Sequence, residues 1–257
     1  MASTAAGLAA TGLIPYANSF AIFITSRCYD QVRTQIAYPA LPVKLAGSSA
    51  GLTQGPDGAS HQSLEDISLM RGLPNMAVVV PADAVETRQA TAAIADWRGP
   101  VYLRLGRYPT PRLFGAGYRF EMGRLWTLRG GTDVVLFACG HMVAKALEAA
   151  DLLAHDHIEA RVVNVSTLRP LDAAGIRAAA AGMQRAFTVE EHSIVGGLGS
   201  AVAEVLAEGE AGETPPLRRL GVRDQFGESG LADELLEKHG LQPGGIYRSV
   251  IASLQGR

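Results

Sequence analysis

Charge is scarce in this sequence. Asp, Glu, Lys and Arg together make up 19% of its 257 residues, and no charged side chain occurs before Arg27. The charges nearly cancel, to a net −2, and lack the clustered Lys and Arg that a phosphate backbone requires, so no nucleic-acid partner is expected. Cysteine is rarer still. Cys28 and Cys139 stand far apart among apolar residues, a placement that suits buried free thiols of a cytoplasmic protein better than a disulfide or a metal site. A long apolar run is lacking too. A membrane span needs about 20 predominantly apolar residues and a secretory signal needs a positively charged start. The uncharged opening is broken by Gly7, Gly12, Pro15, Asn18 and Ser19, so no membrane partner is expected either. It reads instead as a helix over 1–10, a stop at Thr11-Gly12, and a buried interior strand with its exit loop over 14–23.

What the chain has in quantity is apolar side chain, 47% of residues, enough to bury a sizeable core in one large domain or two modest ones. Short apolar runs alternate with amphipathic stretches, the pattern of an α/β fold. Strands are expected at 41–46, 76–80 and 101–105, with helices at 60–71 and 83–97. Between Arg107 and Asp133 the rhythm gives way to Pro109, Pro111, Gly115, Gly117 and aromatic residues, the composition of a linker. Beyond it, strands at 133–139, 160–165 and 186–190 alternate with helices at 142–153, 172–181 and 199–207, and helices at 231–239 and 244–254 finish the chain. The expected architecture is two doubly wound, mainly parallel-sheet domains, 1–115 and 133–257, joined by 116–132.

A long polar loop, 47–62, leaves the carboxyl end of the 41–46 strand, where open parallel sheets build their ligand crevices. It carries Asp57, an acceptor, and His61, which can donate or accept near neutral pH. Its glycines permit sharp turns, and Ser60 is placed to cap a following helix with His61 in the first turn. A capped helix behind a solvated turn is the plain alternative. Gly196-Gly197-Leu198-Gly199 lacks the spacing and acidic partner of a dinucleotide site and reads as a tight strand-to-helix turn. Glu190, Glu191 and His192 are neighbours on a strand, so they alternate faces and cannot converge on one ion. No metal site is expected in this chain.

Asp57-Gly58-Ala59-Ser60-His61-Gln62 resembles the Asp-Gly-x-Thr-His-Gln loop of transketolases and 1-deoxyxylulose-5-phosphate synthases. The likeness continues through Leu64-Glu65-Asp66, Leu73-Pro74-Asn75-Met76 and Pro81-Ala82-Asp83. Ala5-Ala6-Gly7-Leu8-Ala9 and Tyr29-Asp30-Gln31-Val32-Arg33 are similar to that family's pyrimidine-binding domain, and 188–200 is similar to its carboxyl-terminal domain. The resemblance covers nearly the whole chain. It implies a thiamine diphosphate enzyme that moves a two-carbon ketol unit between sugar phosphates.

Residue by residue, the resemblance assigns Asp57 and His61 to the donor ketose. It gives Phe20 and Phe23, with Arg27 near the ring's edge, to the aminopyrimidine of the cofactor. Arg107, or alternatively Arg104, falls to a substrate phosphate, for which a planar guanidinium is suited. Core phenylalanines and two solvated strand-end arginines are the plain alternatives. Ser48-Ser49 stands where many transketolases have a histidine. Ser49 thus takes a phosphate-facing position, and a sugar with a different phosphate position, or none, fits that change.

Two parts of such an enzyme find no match. Gly-Asp-Gly, which marks the domain that holds Mg²⁺ and the diphosphate, occurs nowhere in the sequence. The cofactor-activating glutamate of relatives stands in a Glu-Gln-Asn-Met segment directly before the helix that opens this chain, and the likeness here starts at its Met. A strand and a helix of the pyrimidine-binding domain are therefore expected to be missing, leaving an exposed sheet edge. The reading is a carboxyl-terminal transketolase subunit that needs a partner subunit with the diphosphate-binding domain and its Mg²⁺, in a homodimer or heterotetramer. A 1-deoxyxylulose-5-phosphate synthase-like or 2-oxo acid dehydrogenase beta-subunit-like component is the enzymatic alternative. A non-catalytic assembly or regulatory protein is the alternative of another class.

Overall fold

In the computed structural model, which describes residues 1–209 and 214–256, the chain opens with α1 (Ala2–Ala10), β1 (Tyr16–Phe20), α2 (Ala21–Thr25), α3 (Tyr29–Gln31) and a π-helical turn over Val32–Ala37. Next come β2 (Lys44–Ser48), a 3₁₀ turn over Leu52–Asp57, α4 (Asp66–Arg71), β3 (Ala77–Val79), α5 (Ala84–Ala93) and β4 (Val101–Arg104). The second half contributes β5 (Trp126–Arg129), β6 (Val134–Ala138), α6 (Met142–His155), β7 (Ala160–Asn164), β8 (Thr167–Arg169) and α7 (Ala173–Ala180). It ends with β9 (Arg185–Ser193), α8 (Leu198–Ala207), β10 (Leu217–Val222), α9 (Ala232–Lys238) and α10 (Pro243–Leu254).

Two five-stranded sheets result, ordered β1-β2-β4-β3-β8 and β10-β9-β6-β7-β5. The α/β expectation holds. All pairings are parallel except β3 with β8 and β5 with β7. Central strands are apolar on both faces because helices cover both: Val134-Val135-Leu136-Phe137-Ala138 is buried throughout. Helix α6 supplies one cover, burying Met142, Val143, Ala146, Ala149, Ala150 and Leu153 at helical spacing.

The structure departs from the sequence expectations in four places. The 14–23 strand is shorter and lies at the edge, pairing only with β2. It ends at Phe20, and the chain turns directly into α2, so Phe23 sits on a helix. The 60–71 helix begins only at Asp66, with Glu65 before it and no side-chain cap. Ser60 and His61 belong to a turn, because Gly55 and Gly58 take positive φ and fold the chain into a compact knot first. The 107–133 stretch is packed: Phe114, Tyr118 and Phe120 are buried, and Phe114 and Tyr118 stack at 3.9 Å. It also supplies β5, pairing antiparallel with β7. Strands β8 and β10 were not anticipated, and β8 crosses from the second half to extend the first sheet.

Candidate functional site

The carboxyl ends of β1, β2 and β4 carry the candidate residues. Phe20 closes β1 and Phe23 lies on the first turn of α2, so both half-buried rings face the same side, 5.9 Å apart. His61 meets both edge-on, at 5.9 Å from Phe20 and 5.2 Å from Phe23. The Arg27 guanidinium lies 4.2 Å from the Phe23 ring centroid, a cation–π contact on the ring's face. Ser60 Oγ stands 3.0 Å from His61 Nδ1. The four residues assigned from separate motifs are therefore one cluster.

Asp57 is on the same loop. Its Oδ2 accepts a hydrogen bond from Gln54 Nε2 and lies 3.6 Å from Arg107 Nη1. Both side chains are exposed, 41% for Asp57 and 56% for Arg107, so the pair contributes little stability and either group is free to meet a ligand. Ser49 is half-buried at a φ of 55°, in the left-handed region. Beside His61, a cavity of ≈ 530 Å³ is lined by Ile22, Ser60, Glu65, Ser193, Asp224 and Phe226 among others, from both halves of the chain.

The loop is held from two sides. Gln62 Nε2 donates to Leu52 O, Gly55 O and Glu228 O at 3.3, 3.1 and 2.9 Å. On the other side Glu191 Oε1 accepts from Thr53 N, while its Oε2 lies 2.8 Å from His141 Nδ1. Gly51, at a φ of 87°, is required there: a Cβ would stand 2.3 Å from Glu191 Cδ.

Arg104 is 5% exposed, which overturns the solvated alternative. Its Nε donates to Asp66 Oδ2 at 2.8 Å and its Nη2 to Glu191 O at 2.9 Å. Tyr102 Oη donates to the same Asp66 oxygen at 2.6 Å. Burial works against the guanidinium charge, but Asp66 and Glu191 outweigh it and hold Arg104 above its ordinary pKa. The adjacent trio alternates as expected. Glu190 accepts from Leu198 N and Gly199 N at the start of α8, whereas Glu191 faces His141. Burial pushes Glu190 up to about 7 against those two amides, and drives His192 down to about 4.

The family model for the transketolase pyrimidine-binding domain matches residues 1–111, and that for the transketolase C-terminal domain matches residues 123–246. The chain belongs to the transketolase family. Its relatives include the 6-deoxy-6-sulfo-D-fructose transketolase subunit SqwH of Clostridium sp. (strain MSTE9), 45% identical over 97% of this chain and 76% of that protein. An apulose-4-phosphate transketolase subunit of Phocaeicola vulgatus is 37% identical over 96% of this chain and 78% of that protein. A solved structure described as a split gene transketolase, inactive beta4 tetramer, superposes with a TM-score of 0.90 at 47% identity, covering 98% of this chain and 80% of that one. Within the transketolases, the chain is thus a counterpart of C-terminal subunits of split enzymes.

Sequence reasoning missed Gln54, Gln62, Asp66, His141 and Glu191 as parts of the site's frame. Gln62 and Asp66 lay inside motifs that were read for other residues. His141 gave no signal at all.

Proposed function

We propose that this chain is the substrate-facing subunit of a split, thiamine diphosphate-dependent transketolase that moves a two-carbon ketol unit between sugars. The observation that carries the proposal is the cluster of Phe20, Phe23, Arg27 and His61. Two half-open phenyl rings, one backed by a cation, fit a flat aminopyrimidine by offset stacking. Mg²⁺ and the diphosphate are assigned to a partner subunit that supplies hard oxygen ligands, a reading supported by relatives named as transketolase subunits.

When bound, thiamine diphosphate supplies the electron sink for breaking the sugar's carbon–carbon bond. This chain's residues do the rest of the work on their side of the site. Phe20 and Phe23 hold the ring and exclude water from one face. His61 donates to or accepts from a hydroxyl of the ketose, and Asp57 accepts from another, dividing duties that a polyhydroxylated substrate requires. Arg107 takes the anionic end of the sugar, exchanging its long contact with Asp57 for a stronger bidentate one. Arg104, already committed to Asp66, has the lesser claim, and Ser49 offers a neutral hydroxyl beside the anion. The sulfo and phosphate groups in the relatives' names support an anionic donor or acceptor.

The assembly is a homodimer or heterotetramer, supported by the apolar rim of exposed Leu8, Leu13, Ile14 and Tyr16 along α1 and β1. The cytoplasm is the compartment, supported by two free cysteines. The test is co-purification of whatever binds this chain, followed by assay of the pair. Turnover of xylulose 5-phosphate with ribose 5-phosphate, or of another anionic ketose and aldose, supports the proposal. Turnover of pyruvate alone replaces it with a synthase or dehydrogenase component.

A further inference from the structure

Glu191 lies on β9 of the second sheet, yet one oxygen of its carboxylate reaches the first half of the molecule. Its Oε1 accepts the amide of Thr53, the second residue of the Leu52–Asp57 turn. One residue on, Gln54 grips Asp57, and Asp57 faces Arg107 at 3.6 Å. Glu191 Oε2 is paired with His141 at 2.8 Å and its main-chain oxygen accepts from Arg104 at 2.9 Å. The carboxyl is 2% exposed. Burial pushes its pKa up, but His141, Arg104 and the Thr53 amide outweigh that and hold it below the ordinary range, so it is charged. Gly51 lacks a side chain at the point where the carboxyl enters the loop.

We infer that Glu191, held by His141, is a positioning residue for Asp57, so that the second domain sets donor-sugar binding through the Thr53 turn without touching substrate. The kinetic side of this inference rests on the transketolase reading; the loop-holding side does not.

Two measurements test it. Hydrogen–deuterium exchange of the isolated chain reads the loop directly. Glu191→Ala is expected to speed exchange over 52–58 by about tenfold or more, with β2, β4 and β6 unchanged. Glu191→Gln, which keeps volume and one acceptor oxygen, is expected to give a smaller increase and decides the matter should the alanine variant not fold. Unchanged exchange over 52–58 in the folded variant overturns the inference. In the reconstituted complex, Glu191→Gln is expected to raise the donor KM by about tenfold while thiamine diphosphate affinity stays within error. Combined with Asp57→Asn, its loss is expected to fall well short of the product of the two single losses. Losses that multiply independently, or a parallel loss of cofactor affinity, overturn it. If the wild-type complex transfers no ketol unit, the transketolase reading fails, and the exchange result still decides the role of Glu191.

Discussion

His61 and Phe23 stand edge to face, with 5.2 Å between ring centroids and 71° between ring planes. A residue assigned to the sugar and a residue assigned to the cofactor are thus in contact within one chain. On the proposed reading the cofactor and the donor sugar meet where these rings meet, and that geometry generates the first two predictions.

His61→Ala in the assembled enzyme is expected to lower kcat/KM for the donor ketose by roughly 10² to 10⁴, the range for losing a positioned proton donor or acceptor. Thiamine diphosphate affinity should change far less, which steady-state kinetics at saturating cofactor will separate.

Phe23→Ala is expected to act on the cofactor instead. Losing an aromatic stacking partner costs about 0.5–1.5 kcal/mol beyond the lost burial, so the cofactor Kd, measured by titration, should rise by about tenfold or more. Phe23→Leu should fall between that variant and the wild type.

Asp66→Ala is expected to destabilise the fold by roughly 3–5 kcal/mol, because it leaves the buried Arg104 charge without its partner. Tyr102 would lose its acceptor as well. Thermal unfolding of the isolated chain checks this, and a change within error would show that Arg104 finds another partner.

Stability should vary with pH through Glu190 and His192, with opposite signs. Glu190 is raised to about 7 in the fold. Its contribution is fully present below its ordinary carboxylate pKa and is lost as pH rises toward about 7. His192 is lowered to about 4, so its contribution is present above its ordinary pKa of 6.5 and is lost as pH falls through about 4. Over the shared window the two offset each other. Glu190→Gln removes one of them, and denaturant midpoints should then fall more steeply on acidification than in the wild type.

The alternation of apolar and amphipathic stretches made the two mainly parallel sheets legible, and the Asp57–His61 loop was found by its place after a strand. What stayed hidden depends on contacts between residues remote in sequence. Asp66 and Arg104 are 38 residues apart, and nothing local distinguishes a charge that will be buried in a pair from one that will face water. The same holds for His141 and Glu191. The helix start was misplaced because Ser60 before His61 looks like a cap, whereas the side chain of Gln62, reaching across to Glu228 O, favours a turn. The 107–133 stretch read as a linker because proline and glycine outweighed its aromatics, whose burial against Trp126 and Glu86 emerges only in three dimensions. Strand β8, with three residues, is too short to carry a periodic signal.

The central claim is that this chain holds one side of a site whose other side belongs to a partner. It is tested most directly by titrating the purified chain with the partner that co-purifies with it and following two-carbon transfer in the presence of thiamine diphosphate and Mg²⁺. The predicted result is no turnover from either chain alone and a rate that rises to saturation at a fixed ratio of the two. Turnover by this chain alone would contradict it.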